Sequence, residues 1–168
     1  MNTNLETIFN EAEKRYLTSD ELGAVGQYVD SLPERLGLYR LLRDQEVTLI
    51  QAVADQLEQD HRGVSVPLLE QCIKSGVLAL RSCALTMLMM DDNHIHERMT
   101  WLKQSQQTYQ SQEIDASFYR LLDKQLNASL NPQQMALLQP SLTVVYNTLG
   151  DRARSVEVSE NLSVSSLF

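Results

Sequence analysis

A mostly apolar stretch in the middle of the chain, LLEQCIKSGVLALRSCALTMLMM (residues 68–90), constrains the fold more than any other feature. At helical spacing its apolar side chains face almost every direction, which is typical of a helix buried in a protein core. The uninterrupted run from Val77 to Met90 has 14 residues and contains Arg81, whereas a helix that crosses a bilayer needs about 20 apolar residues. The stretch therefore predicts a central, buried helix and no membrane span.

The remaining sequence indicates more helices and no strands. Six glycines, four prolines, no Asn-Gly or Asp-Gly turn and no sustained alternation of polar and apolar residues favour an all-α fold. A short amphipathic helix begins the chain, and shorter helices follow the central stretch around residues 99–109 and 118–130. Between the first helix and the central stretch lie a second helix that meets Pro33, a segment over residues 36–42 and an amphipathic face over residues 47–57. At 168 residues the chain is most simply one domain with one core.

Cap and breaker residues divide these helices. Thr18 and Glu21 form a capping box at the start of the second helix, and Pro33 predicts a kink or a restart within it. Asn131-Pro132 begins a last helix that ends near Gly150. After Gly150 the chain is rich in serine and glutamate without helical periodicity, so we expect a globular domain over residues 1–150 and a flexible tail over 151–168.

Composition narrows the possible functions and the cell compartment. The net charge of -8 and the pI near 4.8 argue against binding to nucleic acid, whose phosphates require a basic surface. Cys72 and Cys83 lie eleven residues apart in one helical pattern, too far to bridge, so both are expected to be free thiols. Free thiols suit a reducing cytosol. The start MNTNLETIF has no signal-peptide pattern, so a cytoplasmic protein is expected.

No pattern of catalytic or metal-binding residues stands out. The segment His94 to Glu97, HIHE, is predicted to be a solvated loop, because residues two apart on a helix do not face each other and no fourth ligand is evident. Phosphate-binding glycine loops, Ser-His-Asp patterns and Cys-x-x-Cys pairs are absent from the sequence. We therefore expect neither an enzyme nor a metal site.

Arg81 and Cys72 are the two residues of the central stretch with alternative interpretations. The mostly apolar neighbours of Arg81 predict a buried guanidinium, which must find an anion, either an internal carboxylate such as Asp55 or Glu58 or the acid group of a ligand. Cys72 is either an ordinary buried thiol or an attachment point for a prosthetic group. The residues alone favour the internal carboxylate for Arg81.

Several stretches resemble phycobiliprotein subunits, especially allophycocyanin. They are EAEKRYLTSDEL from Glu11, YVDSLPERL with Arg35 and Leu36 on the Arg-Leu of that family, VADQLEQ with Asp55, and QCIKSGVLALR. The last is similar to the chromophore helix, in which Cys72, Leu80 and Arg81 fall at the family's intervals and Asp91 matches the aspartate that ends it. The resemblance implies the globin-like phycobiliprotein fold, with an N-terminal helical hairpin through which subunits pair as homo- or hetero-oligomers.

The resemblance also implies a chromophore site. The counterpart of Cys72 forms a thioether to a linear tetrapyrrole, a bilin of the phycocyanobilin type, and that of Arg81 pairs with a bilin propionate. Lys74 and Ser75 occupy the positions of the family's arginine and aspartate, and Ser75 is neutral where the aspartate holds the bilin protonated. The segment between Asp55 and Cys72 is also shorter than in the family by about one loop, which opens the site.

Two functions follow from this resemblance. The first is a divergent light-harvesting subunit of the photosynthetic antenna in a cyanobacterial cell, carrying a bilin on Cys72 with Lys74, Ser75 and Arg81 around it. The second is a subunit without chromophore that assembles or regulates the phycobilisome or a photosystem, at the cytoplasmic face of the thylakoid membrane. A haem globin is disfavoured, because the central helix contains no histidine.

Overall fold

A computed structural model describes residues 3–150, which form six α-helices and no strand. The all-α prediction is therefore confirmed for these residues, and the predicted tail, residues 151–168, lies outside them. In chain order the helices are α1 (Thr3–Ala12), α2 (Ser19–Asp60), α3 (Val66–Met89), α4 (Asp92–Tyr109), α5 (Gln112–Ser129) and α6 (Pro132–Leu149).

The predicted caps are present at the starts of α2 and α6. The Glu21 amide N–H donates to the Thr18 hydroxyl, and the Thr18 amide N–H donates to the Glu21 carboxylate at 2.8 Å. Asn131 and Gln134 make the equivalent reciprocal pair, with Pro132 as the first residue of α6. These pairs satisfy amide groups that the first turn of a helix leaves without partners.

The restart predicted at Pro33 does not occur, because α2 is one helix of 42 residues. Side-chain hydrogen bonds surround the carbonyl of Tyr28, little more than one turn before the proline: the Ser31 hydroxyl donates to it at 3.0 Å and Arg35 Nη2 at 2.8 Å. We attribute the continuity of α2 to the burial of its later half, which outweighs the local cost of a proline within a helix.

Helix α3 is the centre of the fold, as predicted. It packs against α2, α4, α5 and α6. The helix has 24 residues, more than the 14-residue apolar run, and of the described helices it alone is long and apolar enough to cross a bilayer. Half of its most apolar window is nevertheless buried inside the fold, which is the arrangement of a core helix.

The N-terminal part of the molecule forms an arm. Residues 19–34 of α2 contain no buried side chain, and α1 packs beside α2. Leu5 and Ile8 of α1 are buried. The exposed large apolar side chains of the arm are Phe9, Tyr16, Leu22 and Val29. This hairpin-like arm is the feature that the sequence predicted as a pairing surface.

Arg35 is the arginine that the described core buries, with 2% of its surface exposed. Its guanidinium donates to the carbonyls of Tyr28 and Leu88 and to the Ser31 hydroxyl, and it stacks over the Tyr28 ring at 4.4 Å. Leu88 belongs to the last turn of α3, where free carbonyls and the helix dipole favour a cation. Arg35 therefore ties the base of the arm to the end of the central helix.

Candidate functional site

The thiol of Cys72, the predicted attachment point, lies inside the core. Cys72 is 2% exposed and faces α5, where the Asp115 carboxyl group interacts with the thiol. Asp115 is itself buried and accepts a hydrogen bond from the Ser111 hydroxyl at 2.6 Å. The sulfur therefore points between two helices and away from solvent.

The space beside this thiol is filled by Phe118. Gly76, one turn after Cys72 on the same face of α3, lies so close to the ring that a Cβ atom there would come within 2.1 Å of Phe118 Cε1. Phe118 is fully buried, and its ring meets that of Tyr119 edge to face, with the centroids 5.6 Å apart. A tetrapyrrole next to the sulfur requires these aromatic rings to move, so the packed residues do not fit the group.

Burial also suppresses the reactivity of both cysteines. It raises the pKa of the Cys72 thiol far above its ordinary value, and the neighbouring Asp115 carboxylate adds to this shift. Burial raises the pKa of the Cys83 thiol to about 12. Thioether formation needs the thiolate as nucleophile, and at neutral pH both side chains are held as neutral thiols.

Arg81 is not buried, so this prediction was wrong. Its side chain is 60% exposed and makes a two-pronged ion pair with Glu46 of α2, with Nε at 2.7 Å and Nη2 at 2.6 Å from the carboxylate oxygens. An internal carboxylate was expected, but the partner is Glu46 and not Asp55 or Glu58. The hydrogen bonds that Arg81 donates to Glu46 raise the pKa of the guanidinium, which keeps its charge at any physiological pH.

Lys74 lies on the same side of α3 as Arg81 and on the side opposite the thiol. Nine residues at about 100° each place Arg81 on the side of α3 opposite Cys72, and Lys74 lies about 20° from Arg81. Lys74 is 70% exposed and lies 3.6 Å from Glu70. The structure thus brings the two predicted cations to one exposed stripe of α3 and separates both from Cys72.

Ser75 belongs to a third side of α3. It is half-buried, and its hydroxyl lies 3.4 Å from Gln71 Nε2, which also donates to Ser105 of α4 at 3.2 Å. The four predicted site residues therefore face α5, α4 and solvent rather than a common space. Their assignment as a bilin site remains a prediction.

The concave surface that Arg81 does border is a groove between α2 and α3. Its volume is about 460 Å³. Ile50 and Ala54 of α2 with Leu69, Ile73 and Val77 of α3 form its apolar floor. The Glu46–Arg81 pair lies at one end, and Asp55 and Glu58 lie on the α2 side towards the other.

The segment His94 to Glu97 is helical, and the loop prediction for it was wrong. It lies within the first two turns of α4, after Asp91, whose side chain accepts a hydrogen bond from the Asn93 amide. Over residues 3–150 no group of three histidine, cysteine or acidic side chains has the arrangement of a metal site.

Sequence patterns did not identify three residues that contact or support these sites. Glu46 and Asp115 were not predicted, although each supplies the charge nearest to a predicted site residue. The burial of Arg35 was also missed. A signal was present for Arg81, because Glu70, Lys74 and Arg81 are spaced four and seven residues apart and so mark a polar stripe on an otherwise apolar helix.

Comparison with known proteins supports one family. The family model for the phycobilisome protein matches residues 9–149, most of the chain. No individual curated protein matches the sequence. The match spans all the helices from α2 to α6 and part of α1, and together with the helical architecture it confirms the predicted all-α, globin-like phycobiliprotein fold.

Proposed function

We propose, from the premise that this chain belongs to the phycobilisome protein family, that it is an antenna subunit that acts through its surfaces and carries no bilin on Cys72. It is a non-enzymatic assembly or regulatory subunit of the phycobilisome or a photosystem, peripheral at the cytoplasmic face of the thylakoid membrane. Its role requires protein partners and no nucleic acid.

One observation carries the proposal: the Cys72 thiol points into the packed interface between α3 and α5. Attachment of a linear tetrapyrrole needs an accessible thiolate, room beside the sulfur, and cations within reach of the propionates. The thiol is buried against Asp115, the room is occupied by Phe118, and Arg81 lies on the opposite side of the helix in an ion pair with Glu46. The packing of α3 against α5 and α2 therefore leaves all three requirements unmet.

The arm supports association with partners. Tyr16 is fully exposed, and Leu22 and Val29 are more than half exposed on a helix that contributes no buried residue before Arg35. Apolar side chains grouped on a projecting helix are typical of a protein interface. We infer that homo- or hetero-oligomers form through these N-terminal helices.

The second candidate is a subunit that carries a phycocyanobilin-type bilin on Cys72. The observation in its favour is the exposed stripe of α3 on which Lys74 and Arg81 stand together, two cations available to two propionates. In that subunit Ser75 lies beside the chromophore and, as a neutral side chain, does not stabilise the positive charge of a protonated bilin. The second candidate also requires the thiol and Phe118 to leave the core.

Pigment analysis tests the choice. The protein purified from its native host is measured for visible absorbance and is run on a denaturing gel read for zinc-enhanced bilin fluorescence, with a pigmented phycobiliprotein beside it. We expect a colourless protein and no fluorescent band. A fluorescent band that disappears in Cys72→Ala and persists in Cys83→Ala establishes the second candidate instead.

Association is tested on the same protein. Removal of residues 1–16 takes away α1 and the exposed Tyr16, and we expect it to lower the mass of the native complex measured by light scattering. A complex of unchanged mass contradicts the use of the arm as an interface.

A further inference from the structure

We propose that the groove between α2 and α3, called the α2–α3 groove below, binds a basic amphipathic helix of another protein. The inference rests on the proposed function, because it takes proteins rather than pigments as the ligands of this surface. It differs from the arm in position: the groove is lined by residues 46–58 of α2 and 69–81 of α3.

The shape of the groove favours a helix. The two walls are neighbouring helices joined by a five-residue connection, residues 61–65, so they run antiparallel, and the groove follows them along its length. From Leu69 to Arg81 the groove is about 18 Å long, or a little over three helical turns. An amphipathic helix that lies in such a groove places apolar side chains at intervals of three and four residues on its floor.

The floor of the groove is apolar and incompletely covered. Leu69, Ile73 and Val77 repeat every four residues along α3 and are half-buried. Val47 on the α2 side is 76% exposed, and Val66 continues the same face of α3 at 66% exposed. A partner helix would remove these side chains from water, which is the main source of binding free energy in helix-in-groove recognition.

The charge of the groove selects a basic partner. Its lining contains three carboxylates, Glu46, Asp55 and Glu58, and one cation, Arg81. Arg81 is already paired with Glu46. The carboxylates of Asp55 and Glu58 are exposed, and the hydrogen bond to Asp55 comes from a neutral donor, Gln51 Nε2 at 2.6 Å. Lysine or arginine side chains flanking the apolar stripe of a partner complement these two charges.

The uneven distribution of charge along the groove determines the orientation of the partner helix. Asp55 and Glu58 lie towards the α2–α3 connection, whereas the other end carries the neutral Glu46–Arg81 pair. The positive end of a helix dipole is its N-terminus. The partner helix should therefore lie with its N-terminus near Glu58 and its C-terminus near Arg81.

A labelled model peptide tests the binding directly. The probe is a synthetic helix of about 14 residues with leucines on one face and lysines on the other, long enough to span the groove. Its affinity for the full chain is measured by fluorescence anisotropy near 0.1 M salt. We expect Asp55→Lys combined with Glu58→Lys to weaken binding by about tenfold or more.

Matched variants separate the groove from the overall negative charge. Glu34→Lys with Glu97→Lys makes the same change in net charge at exposed helical positions away from the groove, and we expect it to alter the affinity by less than about twofold. Val47→Ser should weaken binding by several-fold, whereas Val29→Ser, an equal change at an exposed valine of the arm, should not.

Several results would overturn the assignment. Equal weakening by the two charge-reversal doubles, or no binding, shows that the groove is not a specific site. Tighter binding after removal of residues 151–168 shows that the tail of the chain itself occupies the groove. A self-associated form lost in the Asp55→Lys/Glu58→Lys variant shows that a second copy does. A fluorescent pigment band, read separately on the gel, contradicts the proposed function and not the groove.

Discussion

Two opposite faces of α3 differ in their polarity and in what covers them. One face, called the closed face below, contains Cys72, Gly76 and Cys83 and is packed against α5 and its aromatic side chains. The other, called the open face, contains Lys74 and Arg81 and borders solvent and the α2–α3 groove. The first face holds its ionisable groups neutral, whereas the second holds its charges in exposed ion pairs.

This difference shows why residues at family intervals need not form one site. Cys72 and Arg81 are separated by nine residues, about two and a half turns, so a straight helix directs them to opposite sides. A ligand that uses both must wrap around the helix or find the helix rotated. Here the packing of Phe118 against Gly76 keeps the thiol side closed.

Truncation of Phe118 is expected to have the largest effect, because it opens the closed face. Phe118→Ala removes a fully buried ring and should lower the free energy of unfolding by about 3–5 kcal/mol. Urea denaturation followed by circular dichroism measures the loss. The variant should also accelerate the reaction of Cys72 with a thiol reagent, because the sulfur gains space and solvent.

Gly76→Ala provides the matched test of this contact. In the native background the new methyl group meets the Phe118 ring, and overpacking of this kind costs about 1–3 kcal/mol. In the Phe118→Ala background the same change should be neutral or stabilising, since alanine favours a helix by about 1 kcal/mol over glycine. Additive costs in the double variant would show that Gly76 and Phe118 are not in contact.

Alkaline pH should destabilise the closed face through its thiols. The folded-state pKa of Cys83 is about 12, against an ordinary value of 9.0, and that of Cys72 is also raised. Below pH 9 the thiols are neutral in both the folded and the unfolded chain, so the free energy of unfolding does not change. As the pH rises from 9 towards the folded-state pKa, the thiols of the unfolded chain ionise first and the free energy of unfolding falls. The expected slope is about 1.4 kcal/mol per pH unit for each thiol.

Denaturation at several pH values between 8 and 10.5 measures this slope. Cys83→Ala should remove its share of the pH dependence while costing little at neutral pH, where the thiol behaves as a small apolar side chain. An identical slope in the variant would mean that Cys83 ionises equally in the folded and unfolded chain.

The helices were more predictable than the site because caps and apolar spacing act locally. Thr18 with Glu21 and Asn131 with Gln134 define helix starts through contacts within four residues. Where α2 continues past Pro33 it makes long-range contacts, such as that of Arg35 with Leu88, 53 residues away. Local sequence patterns contain no information on such a contact.

The candidate site was harder to predict, because it depends on which neighbouring helix each side of α3 faces. An almost uniformly apolar pattern does not specify this orientation. The sequence placed Cys72 on the correct helix and predicted a buried thiol as one alternative, and the side chain is buried. It did not reveal that Asp115 and Phe118 of α5 cover that thiol, or that Glu46 of α2 reaches Arg81. Those neighbours lie 35 to 46 residues away in the chain.

Arg35 and Arg81 allow a direct comparison of a buried and an exposed arginine. Arg35→Met keeps an unbranched side chain of similar length but removes the guanidinium that donates to the Leu88 carbonyl, and it leaves the Tyr28 carbonyl with the Ser31 hydroxyl as its side-chain donor. Each unsatisfied buried acceptor costs about 1–3 kcal/mol, so we expect a loss of at least that size. Urea denaturation measures it, and faster amide hydrogen exchange in residues 19–34 should accompany it as the arm loosens.

Arg81→Met is the matched change on the open face, and we expect the smallest effect. Its partner Glu46 is 18% exposed and Arg81 itself is 60% exposed, so water screens the pair and replaces its hydrogen bonds when the guanidinium is removed. The free energy of unfolding should fall by less than about 1 kcal/mol, and by less still at high salt. The same urea titration, at low and high salt, measures both values. A loss as large as that of Arg35→Met would mean that the Glu46–Arg81 pair stabilises the α2–α3 contact as a core element, and the open face would then be part of the scaffold rather than a surface free to bind.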